Sequence, residues 1–221
     1  MTRYDADWAR AEAEKRRWMA RNGLYSEAEE HASCGVGLVV AVNGAPSRKI
    51  VQAGIDALKA IWHRGAVDAD GKTGDGAGIH VQIPVAFFYD QIRRTGHVPH
   101  EHELMAVGQV FLPREDFGAQ ETCRTIVETE VLRMGYSIYG WRHVPVDVSC
   151  LGEKANATRP EIEQILISNA KGVDEDTFER ELYVIRRRIE NAAGAAQIPS
   201  LYIASFSCRS IIYKGMMLAE Q

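Results

Sequence analysis

Cys34 combines a reactive side chain with an unusual position in the sequence. It stands where a polar stretch gives way to the apolar run Cys34–Val42, and glycines follow it at positions 35 and 37. A thiol has an unperturbed pKa of about 8.5 and acts as a nucleophile when a neighbouring base removes its proton. Free cysteines are also common as inert core residues. By its placement alone, Cys34 is therefore either a nucleophile or a buried structural thiol.

A glycine-rich loop between residues 65 and 78 offers a second possible site. Its segment Gly65–Thr73 is similar to a phosphate-binding loop, but five residues separate its glycines where that motif has four. Asp68 and Asp70 would also repel a phosphate. The glycines at 74, 76 and 78 do not fit a dinucleotide fingerprint, because a strand rather than a helix follows them. We predict that these glycines allow close backbone packing.

Residues that could bind a metal are scattered along the chain. The four cysteines, Cys34, Cys123, Cys150 and Cys208, form no Cys-x-x-Cys pair, and three histidines lie in the polar segment 97–102. Zinc and iron–sulfur sites need ligands that lie close together. We predict no metal site, a solvated histidine loop and a reducing cytoplasm.

The composition argues against two classes of partner. Lys and Arg number 26 against 30 Asp and Glu, a formal net charge of -4, which provides no broad basic surface for nucleic acid. No stretch approaches the roughly 20 apolar residues that span a bilayer, and residues 1–33 lack the apolar core of a secretory signal. We predict neither nucleic-acid binding nor a membrane span.

Hydrophobic periodicity predicts the elements that must position these residues. Residues 2–31 favour a marginal surface helix. The run Cys34–Val42 is typical of a strand buried on both faces, and Asn43–Gly44 ends it with a turn. Ser47 can cap a helix that ends near Gly65.

The remaining pattern alternates strands with helices and closes on two neighbouring strands. Strands are predicted at 79–83, 105–112, 201–206 and 209–213, and helices from Pro84 to Arg94, at 115–134 and at 174–193. Residues 136–148 are expected to be extended, 162–167 are ambiguous, and 216–221 continue a helical pattern. This order favours a mixed α/β fold and leaves the order of strands in the sheet open.

Three segments match a known family in order and spacing. They are Cys34-Gly-Val-Gly-Leu-Val-Val, His63-Arg64-Gly65-Ala66 and Thr73-Gly74-Asp75-Gly76-Ala77-Gly78-Ile79, with later matches at 160–164, 178–183 and 213–216. Over 34–221 the chain resembles the amino-terminal class II glutamine amidotransferase domain of the glutamate synthase large subunit. The resemblance implies an α+β fold, the αββα sandwich of amino-terminal-nucleophile (Ntn) hydrolases, incomplete at the carboxyl end.

The resemblance also implies a domain division and a chemistry. Residues 1–33 would be a leader, whose removal makes Cys34 the first residue of the amidotransferase part, 34–221. Its free α-amine, with a pKa of about 7.7, would serve as the base for hydrolysis of L-glutamine to L-glutamate and ammonia. Arg64 would bind a substrate carboxylate, or alternatively pair with Asp68 or Asp75. Asp75 is expected to organise the loop through bonds to its own backbone.

The family further implies a larger enzyme. Ammonia would pass to a synthase site acting on 2-oxoglutarate, in a cytoplasmic NADPH-type enzyme whose full-length large subunit holds FMN and an iron–sulfur cluster outside this segment. A small FAD and iron–sulfur subunit would oxidise NAD(P)H. The family's Arg-Phe-Ser-Thr and His-Asn-Gly-Glu stretches, the second of which forms the oxyanion hole, do not occur in residues 1–221. We therefore expect these residues alone to be inactive. The alternative is a non-catalytic regulatory or interaction module with the same fold.

Overall fold

The computed structural model describes residues 6–23, 35–100 and 102–221, except for the side chains of Arg64 and of three residues in the first helix. The chain divides into two compact units, Met1–Val36 and Gly37–Gln221. The helices are α1 (Ala6–Asn22), α2 (Arg48–Ala60), α3 (Val85–Arg94), α4 (Phe117–Arg133), α5 (Glu153–Thr158) and α6 (Glu175–Ala195). The strands are β1 (Ala77–Gln82), β2 (Met105–Leu112), β3 (Ser137–His143), β4 (Glu161–Ser168), β5 (Tyr202–Ser207) and β6 (Ser210–Gly215).

The helix predicted within residues 2–31 is present as α1. Eight of its 17 residues are charged, and its Trp18 side chain is 65% exposed. Such a helix has little apolar area to bury, which is why its periodicity is weak. The prediction of a surface helix is confirmed for the part of this segment that the structure describes.

Residues 35–42 do not form the strand that their composition predicts. They take part in no strand or bridge with the described residues, and Val36, Leu38 and Val42 are 94%, 86% and 105% exposed. β-branched residues favour extended backbone, but a strand is stabilised by ladder hydrogen bonds and by burial. No described strand pairs with this segment, so the prediction of a doubly buried strand is wrong for residues 35–42. Cys34 itself lies outside the described residues.

The helix starts agree well with the sequence, because the capping bonds are local. The Ser47 hydroxyl accepts a hydrogen bond from the Lys49 N–H at 3.1 Å, and Asp116 and Asp174 cap α4 and α6 in the same way. After α2, a short 3₁₀ turn at Trp62–Arg64 carries the chain to the predicted end at Gly65. The six-residue α5 was not predicted, since one turn and a half gives no clear periodic signal.

The strands form two antiparallel sheets. One has the order β3-β4-β2-β5 and the other pairs β1 with β6. Every pairing is antiparallel, so the fold is α+β, as the family resemblance implies. The mixed α/β fold that the order of elements favours is therefore wrong. Helices separate β2 from the strands that pair with it, but these strands run antiparallel to β2, so the connections are not parallel crossovers.

Two hydrophobic cores cover the faces of the four-stranded sheet. Helices α4 and α6 pack on one face, where Val127, Leu182 and Ile165 are fully buried. The other face packs against α3 and β6, with Phe88 and Ile211 buried. The ambiguous segment 162–167 lies in β4 at the centre of this sheet, where a continuous apolar run is typical of a strand buried on both faces. Among the described helices, none is both long and apolar enough to cross a bilayer.

Candidate active site

Two of the three family-matching segments meet in one closed loop. The Asp75 N–H donates to the Ala66 carbonyl at 3.3 Å, and the Asp68 N–H donates to the Thr73 carbonyl at 2.9 Å. An isolated antiparallel bridge joins Val67 to Gly74 between them. The His63–Ala66 segment and the glycine-rich segment therefore lie side by side, and the second continues directly into β1.

Asp70 organises this loop from within. Its Oδ1 accepts hydrogen bonds from the N–H groups of Thr73 at 2.7 Å and Lys72 at 2.9 Å, and its Oδ2 accepts one from the Thr73 hydroxyl at 2.5 Å. The Thr73 hydroxyl, with these N–H groups, holds the pKa of the Asp70 carboxyl well below its ordinary value. Loop donors that could cradle a phosphate are thus used internally. The organising role predicted for Asp75 belongs to Asp70.

Helix α5 anchors the same loop from a distant part of the sequence. Lys154 Nζ lies 2.7 Å from Asp68 Oδ2, although the two residues are 86 positions apart. A Cβ on Gly152 would lie 2.2 Å from the Thr73 hydroxyl and 2.5 Å from the Thr73 nitrogen, so only glycine fits this contact. Asp68, one of the two structural partners considered for Arg64, is therefore engaged by Lys154. The sequence does not predict these contacts between α5 and the loop, because no local pattern signals them.

The three glycines at 74, 76 and 78 are required for different reasons. A Cβ on Gly74 would lie 2.4 Å from the Met217 carbonyl oxygen, and one on Gly78 would lie 2.8 Å from both the Lys214 Cβ and the Tyr213 carbonyl oxygen. Gly76 has φ of +121°, which side chains rarely adopt. The prediction of close backbone packing is confirmed for Gly74 and Gly78, whereas Gly76 is required for its backbone conformation.

The segment after β6 follows this loop instead of forming a helix. The Met217 N–H donates to the Gly215 carbonyl at 3.0 Å, and the Gln221 N–H donates to the Leu218 carbonyl at 3.1 Å. The Gln221 side-chain amide donates to the Cys150 carbonyl at 2.6 Å. The helical pattern predicted for 216–221 is wrong here, because turn bonds within the segment and one long-range bond to Cys150 take the place of helical bonds.

A small cleft lies where these segments converge. Its volume is about 40 Å³, close to the ~30 Å³ share of one liquid water. It is lined by Trp62, Gly65, Val67, Asp75, Gly76, Leu218, Ala219 and Glu220. The cleft thus joins both matching segments to the chain after β6. Arg64 lies between Trp62 and Gly65 in the chain, and its side chain is not among those that the structure describes.

Two of the three described cysteines, Cys123 and Cys208, differ from what a nucleophile needs. Cys123 is fully buried, and burial raises the pKa of its thiol. Burial and the neighbouring Glu179 carboxylate, 3.1 Å from the Cys208 sulfur, raise the pKa of Cys208 to about 12. A raised pKa keeps a thiol protonated at neutral pH, and the thiolate is the reactive form. Cys123 and Cys208 are therefore poor candidates beside Cys34.

The described side chains do not fit an iron–sulfur cluster. Within residues 6–23, 35–100 and 102–221 there is no group of three or more His, Cys, Asp or Glu side chains placed to hold a metal. Cys123 is buried between α4 and the four-stranded sheet, whereas the Cys150 sulfur lies 3.7 Å from the Asp147 carbonyl oxygen in a loop.

We expect Gly74→Ala to lower the free energy of unfolding by about 1–3 kcal/mol, because the added methyl group would overlap the Met217 backbone. Gly194→Ala is the matched control, since Gly194 lies near the end of α6 with open space around its Cβ position. The control should be neutral or up to about 1 kcal/mol stabilising. Urea unfolding of both variants measures the difference, and equal effects would contradict the close approach at Gly74.

Comparison with known proteins places the chain in a family. The family described as glutamine amidotransferases class-II matches residues 34–221. The chain is 62% identical, over 197 residues, to the NADPH glutamate synthase large chain of Azospirillum brasilense, covering 89% of this chain and 13% of that protein. It is 37% identical over 204 residues to the corresponding Bacillus subtilis large chain, covering 90% and 13%, respectively. It is 38% identical over 192 residues to a chloroplastic ferredoxin-dependent glutamate synthase of Oryza sativa subsp. japonica, covering 86% of this chain and 12% of that protein.

The chain thus spans only 12–13% of the length of these relatives. Because the family match runs from Cys34 to the last residue, the chain belongs to the class-II glutamine amidotransferases.

Proposed function

We propose that this chain is the glutaminase part of a glutamate synthase large chain, with Cys34 as its nucleophile. The observation that supports this most is the family match, which begins at Cys34 and includes the glycine-rich loop. The loop supports it further, because Gly74 and Gly78 within the matched segment make close contacts that only glycine permits. The raised pKa values of Cys123 and Cys208 argue against two other thiols.

The proposed reaction begins with removal of residues 1–33. The freed α-amine of Cys34 takes the thiol proton, and the thiolate attacks the side-chain amide carbon of glutamine. The amine then gives that proton to the departing nitrogen, so that ammonia leaves and a γ-glutamyl thioester remains. Water adds to the thioester, releasing glutamate and restoring the thiol. Every atom of the amide is thereby accounted for in glutamate and ammonia.

The other parts of the proposal concern binding and fold. Arg64 would bind a carboxylate of glutamine through its planar guanidinium fork. The cleft lined by Trp62 and Gly65 is too small for glutamine, so further walls of the binding site would come from outside its lining residues. For the fold, we infer the αββα sandwich of Ntn hydrolases, which two antiparallel sheets with helices α4 and α6 on an outer face support.

The name of the relatives suggests the wider context. We propose that ammonia passes to a synthase site that acts on 2-oxoglutarate, in a cytoplasmic enzyme of the NADPH type named for the Azospirillum and Bacillus relatives. FMN and an iron–sulfur cluster would bind elsewhere in the longer large chain. A small FAD and iron–sulfur subunit would oxidise NAD(P)H.

Labelling with a glutamine-like diazoketone tests the proposal. The full-length large chain should take up one equivalent of label on Cys34, and excess glutamine should prevent this. Cys123 and Cys208 should remain unlabelled, because their raised thiol pKa values leave little thiolate. Label on Cys123, Cys150 or Cys208 with Cys34 spared would overturn the assignment. Absence of both labelling and ammonia release would favour the non-catalytic module.

A further inference from the structure

Helix α5 lacks the local features that stabilise a helix. It has six residues, and its N-cap Gly152 makes no side-chain hydrogen bond. Among its side chains only Ala155 is buried. An isolated helix of fewer than about 12 residues is marginal in water, and the burial of one methyl group adds little stability. Helix α5 therefore depends on contacts with other parts of the chain.

The glycine-rich loop takes the place of a local cap on α5. The Ala155 N–H, in the first turn of the helix, donates to the Thr73 hydroxyl at 3.4 Å, and this hydroxyl donates to the Asp70 carboxylate. The hydroxyl and N–H of Thr73 lower the pKa of the Asp70 carboxyl most, and the Lys154 N–H of α5 adds to this effect. A carboxylate at the start of a helix satisfies free N–H groups and is favoured by the helix dipole. Asp70 and Thr73 therefore hold the start of α5.

The rest of α5 connects the loop with the four-stranded sheet. Lys154, in the first turn, pairs with Asp68 at 2.7 Å. Toward the other end, Arg114 donates from Nη1 to the Asn156 carbonyl at 3.0 Å. Arg114 lies just beyond the end of β2, a strand in the interior of the sheet. A cationic side chain is favoured at the carbonyl end of a helix. Helix α5 thus fixes the position of the loop relative to the end of β2.

The loop passes this position on to the small cleft. An antiparallel bridge joins Val67 to Gly74 across the loop, between its tip at Asp70 and its base. The base carries Gly65 and Asp75, and both line the cleft. Because the two sides of the loop are paired, a displacement of the tip also moves the base. The contacts of Asp70 with α5 therefore determine where the residues at the cleft lie.

We propose that Asp70 is a positioning residue of the glutaminase site. By joining the loop to α5, its carboxylate fixes Gly65 and Asp75 relative to the four-stranded sheet, in the arrangement that binds glutamine. The Asp70 oxygens accept hydrogen bonds from Thr73 and Lys72, so the residue acts through the loop and does not touch the substrate. The inference rests on the proposed function, since it takes this loop as one wall of the glutamine site.

Replacement of Asp70 in the full-length large chain tests this role. In Asp70→Ala, the KM for glutamine in ammonia release should rise at least about 10-fold while kcat changes less than about threefold, because displaced walls weaken substrate binding. Asp70→Asn keeps one acceptor oxygen, so its KM should rise less, by at least about threefold. If Asp70→Ala does not fold, Asp70→Asn decides alone. A KM within about twofold of the unsubstituted value in the variants that fold would overturn the proposal.

Asp174 provides a matched control, because it makes the same pair of local bonds. Its Oδ1 accepts from the Thr177 N–H at 2.9 Å and its Oδ2 from the Thr177 hydroxyl at 2.6 Å, as Asp70 does with Thr73. It caps α6, which packs with α4 on the sheet. Asp174→Ala should destabilise α6 and leave the KM for glutamine within about twofold of normal.

The outcomes separate this role from a general loss of stability and from the proposed function. An equal rise in KM for Asp174→Ala and Asp70→Ala would refute the positioning role. Glutamate synthesis from added ammonia should stay within about twofold of normal in each variant, because the loop is not part of the proposed synthase site. An unsubstituted enzyme that releases no ammonia from glutamine would contradict the proposed function, whereas unchanged KM values in an active enzyme would contradict the role of Asp70 alone.

Discussion

Replacing Cys34 with alanine should lower glutamine-dependent ammonia release by at least about 10⁴-fold. Without the sulfur no thioester can form, and water alone is a poor nucleophile toward a carboxamide. The measurement is ammonia release by the full-length enzyme with saturating glutamine. Cys150→Ala is the matched control, since Cys150 is a partly exposed thiol in a loop, and it should keep activity within about twofold.

Two further measurements separate the chemistry from other effects of this substitution. Glutamate synthesis from added ammonia should persist in the Cys34→Ala enzyme, because the proposed synthase site lies elsewhere. The unsubstituted enzyme and the Cys34→Ala enzyme can both be expressed with Met followed directly by residue 34. Their activities then do not depend on removal of the leader. Ammonia release near the normal rate by the Cys34→Ala enzyme would show that the nucleophile is another group.

An enzyme that keeps even one residue in front of Cys34 should release ammonia at least about 100-fold more slowly than the mature enzyme. The nitrogen of Cys34 is then an amide, which has no lone pair available to accept the thiol proton. Two versions of the enzyme form the matched pair. One begins Met-Cys34, and its methionine is removed. The other begins Met-Lys-Cys34, and its extension is retained. Intact mass identifies each amino terminus, and ammonia release measures the consequence.

The pH dependence of this pair provides a second readout. The rate of the mature enzyme should rise as pH increases through the α-amine pKa, about 7.7 in the absence of perturbation, because only the uncharged amine acts as a base. The extended enzyme should lack this inflection. If the extended enzyme were equally active with the same pH profile, the amine would have no role as the base.

Several features of this protein follow from the sequence alone because their causes are local. Ser47, Asp116 and Asp174 cap helices through bonds to residues two or three positions away, so their sequence pattern identifies the helix starts. The order and spacing of the matching segments also indicate the family. The glycines at 74 and 78 suggested close packing, although only the structure shows that they face Met217 and the Tyr213–Lys214 backbone.

Other features depend on contacts between distant parts of the chain. Residues 35–42 have the composition of a buried strand, yet they are exposed and unpaired among the described residues, since composition does not supply a partner. The loop is held by Asp70 within itself and by Lys154 and Gly152 from 79 or more positions away, and no local pattern signals such contacts.

The sequence by itself determined the starts of helices α2, α4 and α6, the membership of the chain in the class-II glutamine amidotransferases and the identity of the proposed nucleophile. Only the tertiary structure decided the strand order and the long-range contacts that hold the glycine-rich loop. The physical reason is range: capping bonds and motif spacing act within a few residues, whereas strand pairing and loop bracing are chosen by competition among all segments that can reach each other in the fold.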